Sequence, residues 1–489
     1  MTKQPAGRAL VAIVLAIAAV GVSQVDQTTA AAAGLPVRHS VQQVFTAGTT
    51  TEPSTAIDDY AGELLTLQAI DIGMTTSEPT IGVHPDGTAF FAGATLAVDT
   101  EQAWGVAQTH VLRSTDGGIT WTEVGLRNNR TGTPIPAGNL DPMIWLDEDT
   151  GRVFDVSLLG ACSWVNLSDD KGASWIPNPL GCGTQGFNDH QTIGGGPPPA
   201  GIETTLYPNV LYYCVNELLR TQCGRSLDGG LTWLPTASDP YPMGDMTCGY
   251  LHGHVETDGE GRVLLPNGGC DNPHLAISSD GGEVWTRVNV APTVDSALPH
   301  TALAVDDADN LYYMTLGRVQ NDPPPGVRYL PFLSISRDHG LTWSEPMMVA
   351  PPGVNNVNFP EIAAGSEGRI AITFPGTEAF AVNGGTAKNV TWNQYVVLTE
   401  DALAEEEEPL FLSATANDPG HPVHRGECLG RCDGWWDFID IVISPEGQAW
   451  ASGADDCIFR CEVPGDLTAM HAGRGIAIRQ IGGPSLRAS

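Results

Sequence analysis

Acidic and histidine side chains stand at the start of short apolar segments that recur along the chain. Two of these segments, Glu78-Pro-Thr-Ile-Gly-Val and Asp141-Pro-Met-Ile-Trp-Leu, lead into a turn that contains glycine. Crowded carboxylates raise one another's pKa, and neighbouring imidazoles exchange protons near neutral pH, so these residues suit general acid and base catalysis. The seven aligned starts are Glu78, Asp141, Asp189, His252, His300, Phe359 and Phe438, and His190, His254, Glu361, Asp437 and Asp440 lie beside them.

Three interpretations of these polar residues follow. As catalytic groups, the candidates are Glu78, Asp141, Asp189, His190, His252 and His300. As ligands of a divalent cation such as Ca²⁺ or Mn²⁺, the candidates are Asp141, Asp189, His252 and His254, because carboxylate oxygens and imidazole nitrogens commonly bind these ions. In the third interpretation the polar groups only bind water and cap strand ends. Several ionisable groups in one cleft favour a functional site.

Aromatic residues near the segment starts could stack on the faces of sugar rings. The candidates for substrate binding are Tyr250, Trp435 and Trp436, with Tyr241 as a further one. Packing in the protein core is the alternative interpretation for each of them.

A second pattern recurs five times and indicates the elements that must position these residues. Each copy reads Ser-x-Asp-x-Gly-x-Thr-Trp or a close variant, at residues 114–121, 168–175, 226–233, 278–285 and 336–343. Ser and Asp side chains can bond the amides of a turn, Gly allows a positive φ, and Trp begins the next strand while it packs over the turn. The starts lie 54, 58, 52 and 58 residues apart, so the pattern predicts a β-hairpin in every repeat unit.

This pattern is the Asp box, and its recurrence over nearly the whole chain makes the protein resemble the sialidase-like propeller families. The resemblance implies an all-β propeller whose boxes lie away from the active face. The seven segment starts predict seven blades, with six as the alternative count. In a propeller the innermost strand of each blade enters from one face, so the aligned starts would ring the mouth of a central channel. We therefore expect the acidic and histidine residues to converge.

The sequence divides into four regions. Lys3 and Arg8 precede an apolar run from Ala9 to Val22 and then small residues, which is the layout of a secretory signal peptide at residues 1–33. Residues 34–60 are polar and rich in turn formers, and they are predicted to be a linker. The propeller is predicted to span residues 61–483, and residues 484–489 form a tail.

Cysteine content and charge limit the partners of this protein. All ten cysteines follow the predicted signal peptide, mostly in close pairs such as Cys162 with Cys182, Cys214 with Cys223 and Cys248 with Cys270, which outside the cell indicates disulfides of open connectivity. The remaining four, Cys428, Cys432, Cys457 and Cys461, could alternatively form a four-thiolate metal site. The net charge of −34 repels phosphate backbones and anionic lipid, which argues against nucleic-acid and membrane-surface roles. No apolar run is long enough for membrane insertion. We expect a secreted monomer whose partner is an extracellular glycan or glycoconjugate.

Sialidases as a family hold the substrate carboxylate with three arginines, the first in an Arg-Ile-Pro motif. The corresponding region here reads Ser77-Glu-Pro-Thr-Ile-Gly82, and no Arg-Ile-Pro occurs in the sequence. Strict exo-sialidase activity therefore ranks below two other functions. The first is a glycan-acting hydrolase or lyase that uses the acidic and histidine cluster at the channel mouth, where a bound cation would allow an anionic glycan to enter. The second is a non-catalytic propeller that binds carbohydrate or protein.

Overall fold

The computed structural model describes most of the chain after its first 39 residues. The described residues are 40–95, 108–127, 129–130, 135, 140–159, 162–180, 188–217, 220–243, 251–270, 272–320, 327–380, 390–405, 407–426, 439–457 and 473–488. They form 31 strands and no helix, so the predicted all-β class is confirmed. Within these ranges no helix is long and apolar enough to cross a membrane. The predicted signal peptide lies outside the described residues.

The strands follow one another closely in the chain. The first sixteen are β1 Gln42–Thr46, β2 Thr55–Ala56, β3 Thr66–Val83, β4 Ala89–Thr95, β5 Gln108–Ser114, β6 Thr122–Glu123, β7 Leu140–Leu146, β8 Val153–Leu159, β9 Cys162–Ser168, β10 Ile176–Leu180, β11 Asn188–Gly196, β12 Val210–Glu217, β13 Arg220–Ser226, β14 Leu234–Pro235, β15 Glu256–Thr257 and β16 Val263–Cys270. The remaining fifteen are β17 Asn272–Ser278, β18 Thr286–Asn289, β19 Ser296–Val305, β20 Leu311–Gln320, β21 Val327–Ser336, β22 Met347–Met348, β23 Asn356–Val357, β24 Glu361–Ala364, β25 Ile370–Thr377, β26 Thr391–Thr399, β27 Leu410–Thr415, β28 His424–Arg425, β29 Ile441–Ile443, β30 Ala449–Asp455 and β31 Gly473–Gly482.

Antiparallel pairing of consecutive strands gives seven strand groups. Three of them are separate four-stranded sheets, group 2 (β7–β10), group 3 (β11–β14) and group 4 (β15–β18). Group 5 (β19–β22) and group 6 (β24–β27) share a larger sheet, in which β23 pairs with both β21 and β25. The second half of β3 begins group 1 with β4, β5 and β6, and its first half completes group 7 by pairing with β31 beside β29 and β30. Strands near the two ends of the chain therefore share one sheet.

The two ends of the chain differ from the sequence prediction. Within the predicted linker, β1 pairs with β27 and buries Val44 and Phe45, so residues 42–46 are part of the sheet. The predicted tail is also packed, because Leu486 is fully buried and its backbone bonds Gly447 and Ser366. The linker prediction rested on polar composition, but two apolar residues are enough for an edge strand that covers β27.

The core lies between neighbouring strand groups. Phe90 and Val111 of group 1 belong to one buried cluster with Ile144 and Val153 of group 2, and similar clusters occur between other groups. Because a central strand packs on both faces, it reads as a nearly continuous apolar run, and all eight residues of β12 are buried.

The five Asp boxes form the predicted hairpin turns. In the first box, the Asp116 carboxylate accepts bonds from the Ser114 hydroxyl at 2.8 Å and from Thr120 N and Oγ1 at 2.9 and 2.6 Å. The Gly118 amide donates to Ser114 Oγ at 2.9 Å, and the φ of Gly118 is 85°. Equivalent bonds occur in the other four boxes, although the fourth has Val284 at the Thr position and keeps only the backbone bond. The boxes therefore act as local turn supports.

Arginines beside the boxes join neighbouring strand groups. Arg113 donates to the carbonyl of Lys171 at 2.8 Å, and Arg225 donates to the carbonyl of Gly281 at 2.9 Å. Each acceptor lies in the box turn of the next group. The guanidinium groups are thus engaged by turns between groups.

The disulfide prediction is confirmed for one pair and extended to two further cysteines. Cys214 and Cys223 face each other across β12 and β13 and form a disulfide. Cys162 and Cys457 each take part in a disulfide. The bonded state of Cys457 contradicts a four-thiolate metal site that includes it. Among the described cysteines none is free. Cys182, Cys248, Cys428, Cys432 and Cys461 lie outside the described residues.

Candidate functional site

A left-handed backbone conformation marks the start of the innermost strand in several groups. The φ angles are 51° at Glu78, 48° at Asp141, 52° at His190 and 43° at Phe359. In β3, β7 and β11 the pairing register shifts at these positions, which marks a β-bulge. Positive φ costs energy in a residue with a side chain and persists only where its surroundings impose it, often at functional sites. The bulges redirect the first side chains of the inner strands.

Four of these side chains form an arc of neighbours, as the alignment predicts, and two others contact each other. The Asp141 amide donates to Glu78 Oε2 at 3.2 Å, and the His190 amide donates to Asp141 Oδ2 at 3.4 Å. The His190 and His252 rings lie 5.6 Å apart between centroids. The ring centroids of His300 and Phe359 lie 4.3 Å apart. We call this set the rim, and its members are Glu78, Asp141, His190, His252, His300 and Phe359.

The structure corrects the alignment in group 3. The residue there with positive φ is His190, whereas Asp189 precedes it, is half-buried and pairs with Asn216 in the ladder. The alignment placed Asp189 in the rim because sequence alone does not reveal which residue occupies the bulge.

Burial favours the neutral form of two rim histidines, His252 and His300, and of His254 in the cavity wall. His252 Nδ1 lies 2.8 Å from the Gly253 carbonyl, which can only accept, so Nδ1 carries the proton and Nε2 is left as an acceptor. His252 is 1% exposed, and its Nε2 has no hydrogen-bond partner among the described residues. Burial lowers the pKa of His252, His254 and His300 to about 4. The expectation that these rings exchange protons near neutral pH is therefore wrong, because removal from water disfavours the charged imidazole.

A cavity of about 300 Å³ lies between the inner strands. All seven strand groups contribute to its wall, with Ile81, Met143, Ile193, Glu256, Leu303, Ile362 and Ile441 as one representative of each, and His254 lines it just before β15. Most of these residues follow the rim by two or three positions. Glu78, Asp141, His190, His252 and His300 themselves are not part of the wall. The rim and the cavity are therefore two successive tiers of the same inner strands.

Three carboxyl groups in the cavity wall have raised pKa values. Burial raises the pKa of Glu256 to about 8 and that of Asp440 to about 7, and the charge of Asp440 adds to the shift of Glu256. The pKa of Glu361 is well above its usual range because of burial and the nearby charges of Asp440 and Glu256. Asp440 accepts bonds from the amides of Ile81 at 3.1 Å and Ile441 at 2.8 Å. Within the described residues, the side chains of Glu256 and Glu361 make no hydrogen bond or ion pair. We call these three the acid trio.

The C-terminal segment supplies a cation to the same cavity. Arg487 Nη2 lies 2.9 and 3.1 Å from the two carboxylate oxygens of Glu148, and Nη1 lies 3.7 Å from Asp307. All three side chains line the cavity, and Glu148 and Asp307 lie just after the inner strands β7 and β19. Burial nevertheless leaves the pKa of Glu148 raised, with Arg487 opposing the shift. Arg487 is therefore already engaged by two acids.

The structure gives no support to the predicted metal site. Across the described ranges, no three side chains from His, Cys, Asp and Glu converge in a way that could hold a metal ion. Of the four candidate ligands, His254 lines the cavity while Asp141 and His252 belong to the rim, and Asp189 lies beside the rim. The candidates are divided between two tiers because the inner strands carry them to different depths.

The predicted aromatic residues are accounted for only in part. Tyr241 is fully buried and donates to the Leu265 carbonyl at 2.8 Å, so it packs in the core and does not stack on a ligand. Tyr250, Trp435 and Trp436 lie outside the described residues, as do Asp437 and Phe438.

Sequence reasoning placed Glu361 and Asp440 beside the aligned starts but not among the catalytic candidates, and it missed Glu256 and Arg487. Glu256 follows the rim residue His252 by four positions, and Glu361 and Asp440 follow their rim positions by two. Side chains at even spacing share one face of a strand, so this period was the signal that could have identified them. Arg487 carried no signal, because its place depends on how the C-terminal segment packs.

Three comparisons relate the chain to known proteins. Residues 112–123 match the model of the BNR/Asp-box repeat. A xyloglucanase from Paenibacillus sp is 26% identical over 278 residues, which is 51% of this chain and 24% of the relative, so the match spans about a quarter of that protein. Similar solved structures include a protein of unknown function from Dyadobacter fermentans, with 14% identity, coverage of 85% of this chain and 99% of that chain, and a TM-score of 0.44. An α-L-arabinanase from Penicillium chrysogenum has 10% identity, coverage of 91% and 98%, and a TM-score of 0.40. The first of the five box hairpins is therefore similar to the BNR/Asp-box repeat.

Proposed function

We propose that this chain is a secreted, seven-bladed β-propeller that hydrolyses an extracellular glycan in its central cavity. Each strand group would be one blade, and the contribution of all seven inner strands to one cavity supports the count of seven over six. The pairing of β3 with both β31 and β4 would join the last blade to the first. The signal-like N-terminus and the disulfides support export.

The observation that carries the proposal is the acid trio in the wall of a cavity that all seven strand groups line. Glycoside hydrolysis needs one carboxylic acid to protonate the leaving oxygen and one carboxylate to act as base or nucleophile. An acid with a raised pKa keeps its proton near neutral pH and can donate it. The trio offers such acids beside one another.

The hydrogen bonds of the trio suggest which carboxyl takes each role. Asp440 accepts two backbone N–H bonds, and such bonds favour the charged form. Glu361 has no such bond within the described residues and has the nearby charges of Asp440 and Glu256. Asp440 should therefore ionise first and serve as base or nucleophile, while Glu361 keeps its proton and serves as general acid. Glu256 helps to hold the pKa of Glu361 high.

The charge of the cavity argues against anionic substrates. Arg487 is the one arginine among the described wall residues, and it is already paired with Glu148. A sialic acid or uronic acid carboxylate would meet the acid trio without a free cation to bind it. This favours hydrolysis of a glycan without such groups over sialidase or lyase activity. The similarity to a xyloglucanase over 278 residues supports a glycan substrate.

The test is a hydrolysis assay on a panel of polysaccharides that includes xyloglucan, arabinan and a sialylated glycan. Glu361→Gln and Asp440→Asn should each lower the rate by about 100-fold or more, as expected when a general acid or its partner is removed. Glu446→Gln is the matched control, because Glu446 is exposed in the turn after β29. Full activity of both cavity variants on every hydrolysed glycan would refute the assignment.

A second candidate, non-catalytic glycan binding, is favoured by the rim. Glu78 and Asp141 are buried and their carboxylates accept amides of the next group, which is a role in joining blades. Retention of a glycan by the full chain, with no turnover and no effect of Asp440→Asn, would support this candidate over the hydrolase.

A further inference from the structure

The carboxyl groups of the central cavity outnumber the cations that the protein places beside them. Five carboxyl groups line it, namely Glu148, Glu256, Asp307, Glu361 and Asp440. The described wall residues offer one guanidinium against them, Arg487, and its ion pairs go to Glu148 and Asp307 at one end. His254 is neutral because burial lowers its pKa to about 4. The acid trio therefore has no cationic partner within the described part of the chain.

The acid trio is not arranged to hold a metal ion. The members of the trio are near enough for their charges to act on one another. Yet no three described His, Cys, Asp and Glu side chains converge on a point that could hold a metal. A molecule with a charged group and several hydrogen-bonding atoms can bridge acids that a single ion cannot. A volume of about 300 Å³ is at the small end for small-molecule pockets, which suits one sugar ring.

We infer that the central cavity binds a positively charged sugar, a residue with a free amino group, in preference to neutral or anionic sugars. The choice of a sugar rests on the proposed function, whereas the choice of a cation rests on the cavity itself. An ammonium group has three N–H donors and no acceptor, so it matches carboxylates that have neither a bond nor an ion pair. Charge-assisted bonds of this kind are roughly twice as strong as neutral ones.

The charge of the whole protein acts in the same direction. A net charge of −34 raises the concentration of cations near the molecule and lowers that of anions. Binding of an ammonium group also favours the ionised form of Glu256 and Glu361, so these acids should release protons to the buffer as the ligand enters. The other titratable and charged groups that face the cavity are Glu148, His254, Asp307, Asp440 and Arg487.

Direct binding to the full chain tests the inference without any need for turnover. Glucosamine, glucose and glucuronic acid serve as cationic, neutral and anionic probes of similar size in titration calorimetry near neutral pH. We expect the dissociation constant of glucosamine to be at least about 10-fold lower than that of glucose. We expect no binding of glucuronic acid. Repeating the titration in two buffers with different heats of ionisation should reveal protons released with glucosamine alone.

Variants separate a binding role from a structural one. Glu361→Gln should reduce the preference for glucosamine over glucose to about twofold or less. At pH values above neutral it should also raise the melting temperature, because glutamine cannot take the negative charge that burial and the neighbouring acids disfavour. The control Glu446→Gln should retain the full preference. Equal affinity for the three sugars, or a preference that survives Glu361→Gln, would overturn the inference. Hydrolysis of neutral glycans without a preference for amino sugars would refute this inference and leave the proposed function intact. Selective binding of amino sugars without turnover would support this inference and refute the proposed function.

Discussion

Replacing Glu256 by glutamine should make the protein more stable than the wild type, and this difference should grow as the pH rises. Glu256 lines the cavity with Glu361 and Asp440, and burial with the charge of Asp440 raises its pKa from 4.5 to about 8. The folded protein thus favours protonated Glu256. Glutamine has a similar shape and cannot ionise, so the variant avoids the charge that the cavity disfavours.

The sign and size of the effect follow from linkage. Because the folded pKa lies above the unfolded one, the contribution of Glu256 is fully present below about pH 4.5 and is lost as the pH rises through about 8. Each pKa unit is worth about 1.4 kcal/mol, so the free energy of unfolding of Glu256→Gln should exceed that of the wild type by up to about 5 kcal/mol above pH 8. The two proteins should be nearly equal in stability near pH 4.5.

The measurement is urea unfolding followed by circular dichroism between about pH 4 and 9. The wild type, Glu256→Gln and the exposed control Glu446→Gln are compared at each pH. Glu361 and Asp440 titrate in all three proteins, so the difference curve isolates Glu256 and its coupling to them. A difference in the free energy of unfolding that stays constant with pH, or that widens toward acid, would refute the raised pKa of Glu256. It would also refute the statement that the cavity acids lack a cationic partner.

Three further changes test the supports of the fold. Asp228→Asn in the third box should lower the free energy of unfolding at neutral pH by about 1–3 kcal/mol, because the Asp228 carboxylate accepts a bond from Thr232 N at 2.8 Å. The pKa of Asp228 is lowered, so its stabilising contribution should disappear in acid, and thermal melts at two pH values measure the difference. Replacing Cys214 by serine should cost about 2–3 kcal/mol in urea unfolding, since the disulfide closes a short loop. Arg487→Ala should lower the melting temperature slightly, and more at pH 8 than at pH 4.5, because it removes the cation beside Glu148, whose side chain is 63% exposed.

Each of these has an outcome that would contradict it. Equal losses for Asp228→Asn at neutral and acid pH would mean that the carboxylate charge is not what supports the turn. A cysteine variant as stable as the oxidised wild type would mean that the disulfide does not constrain the unfolded chain. A loss for Arg487→Ala that does not depend on pH would mean that Arg487 acts through packing of the C-terminal segment.

Local sequence was sufficient for the hairpins and for the order of the repeats. The bonds of Asp116 and Ser114 join residues no more than four positions apart, so the turn chemistry can be read directly from the box. The recurrence of apolar segments with a shared start gave the seven inner strands for the same reason, since strand and turn preferences depend on near neighbours. The arc from Glu78 to His252 followed once these strands were placed around a common centre.

The depth of each side chain was decided by the tertiary structure. A bulge moved the rim position from Asp189 to His190, and the apolar residues of 42–46 were recruited as an edge strand by the distant β27. The cavity acids owe their raised pKa to removal from water by strands from all seven groups, and Arg487 reaches Glu148 across 339 positions of sequence. The sequence by itself determined which residue types recur and at what spacing. Their burial, charge state and partners depend on contacts between residues far apart in the chain, and these exist only in the folded molecule.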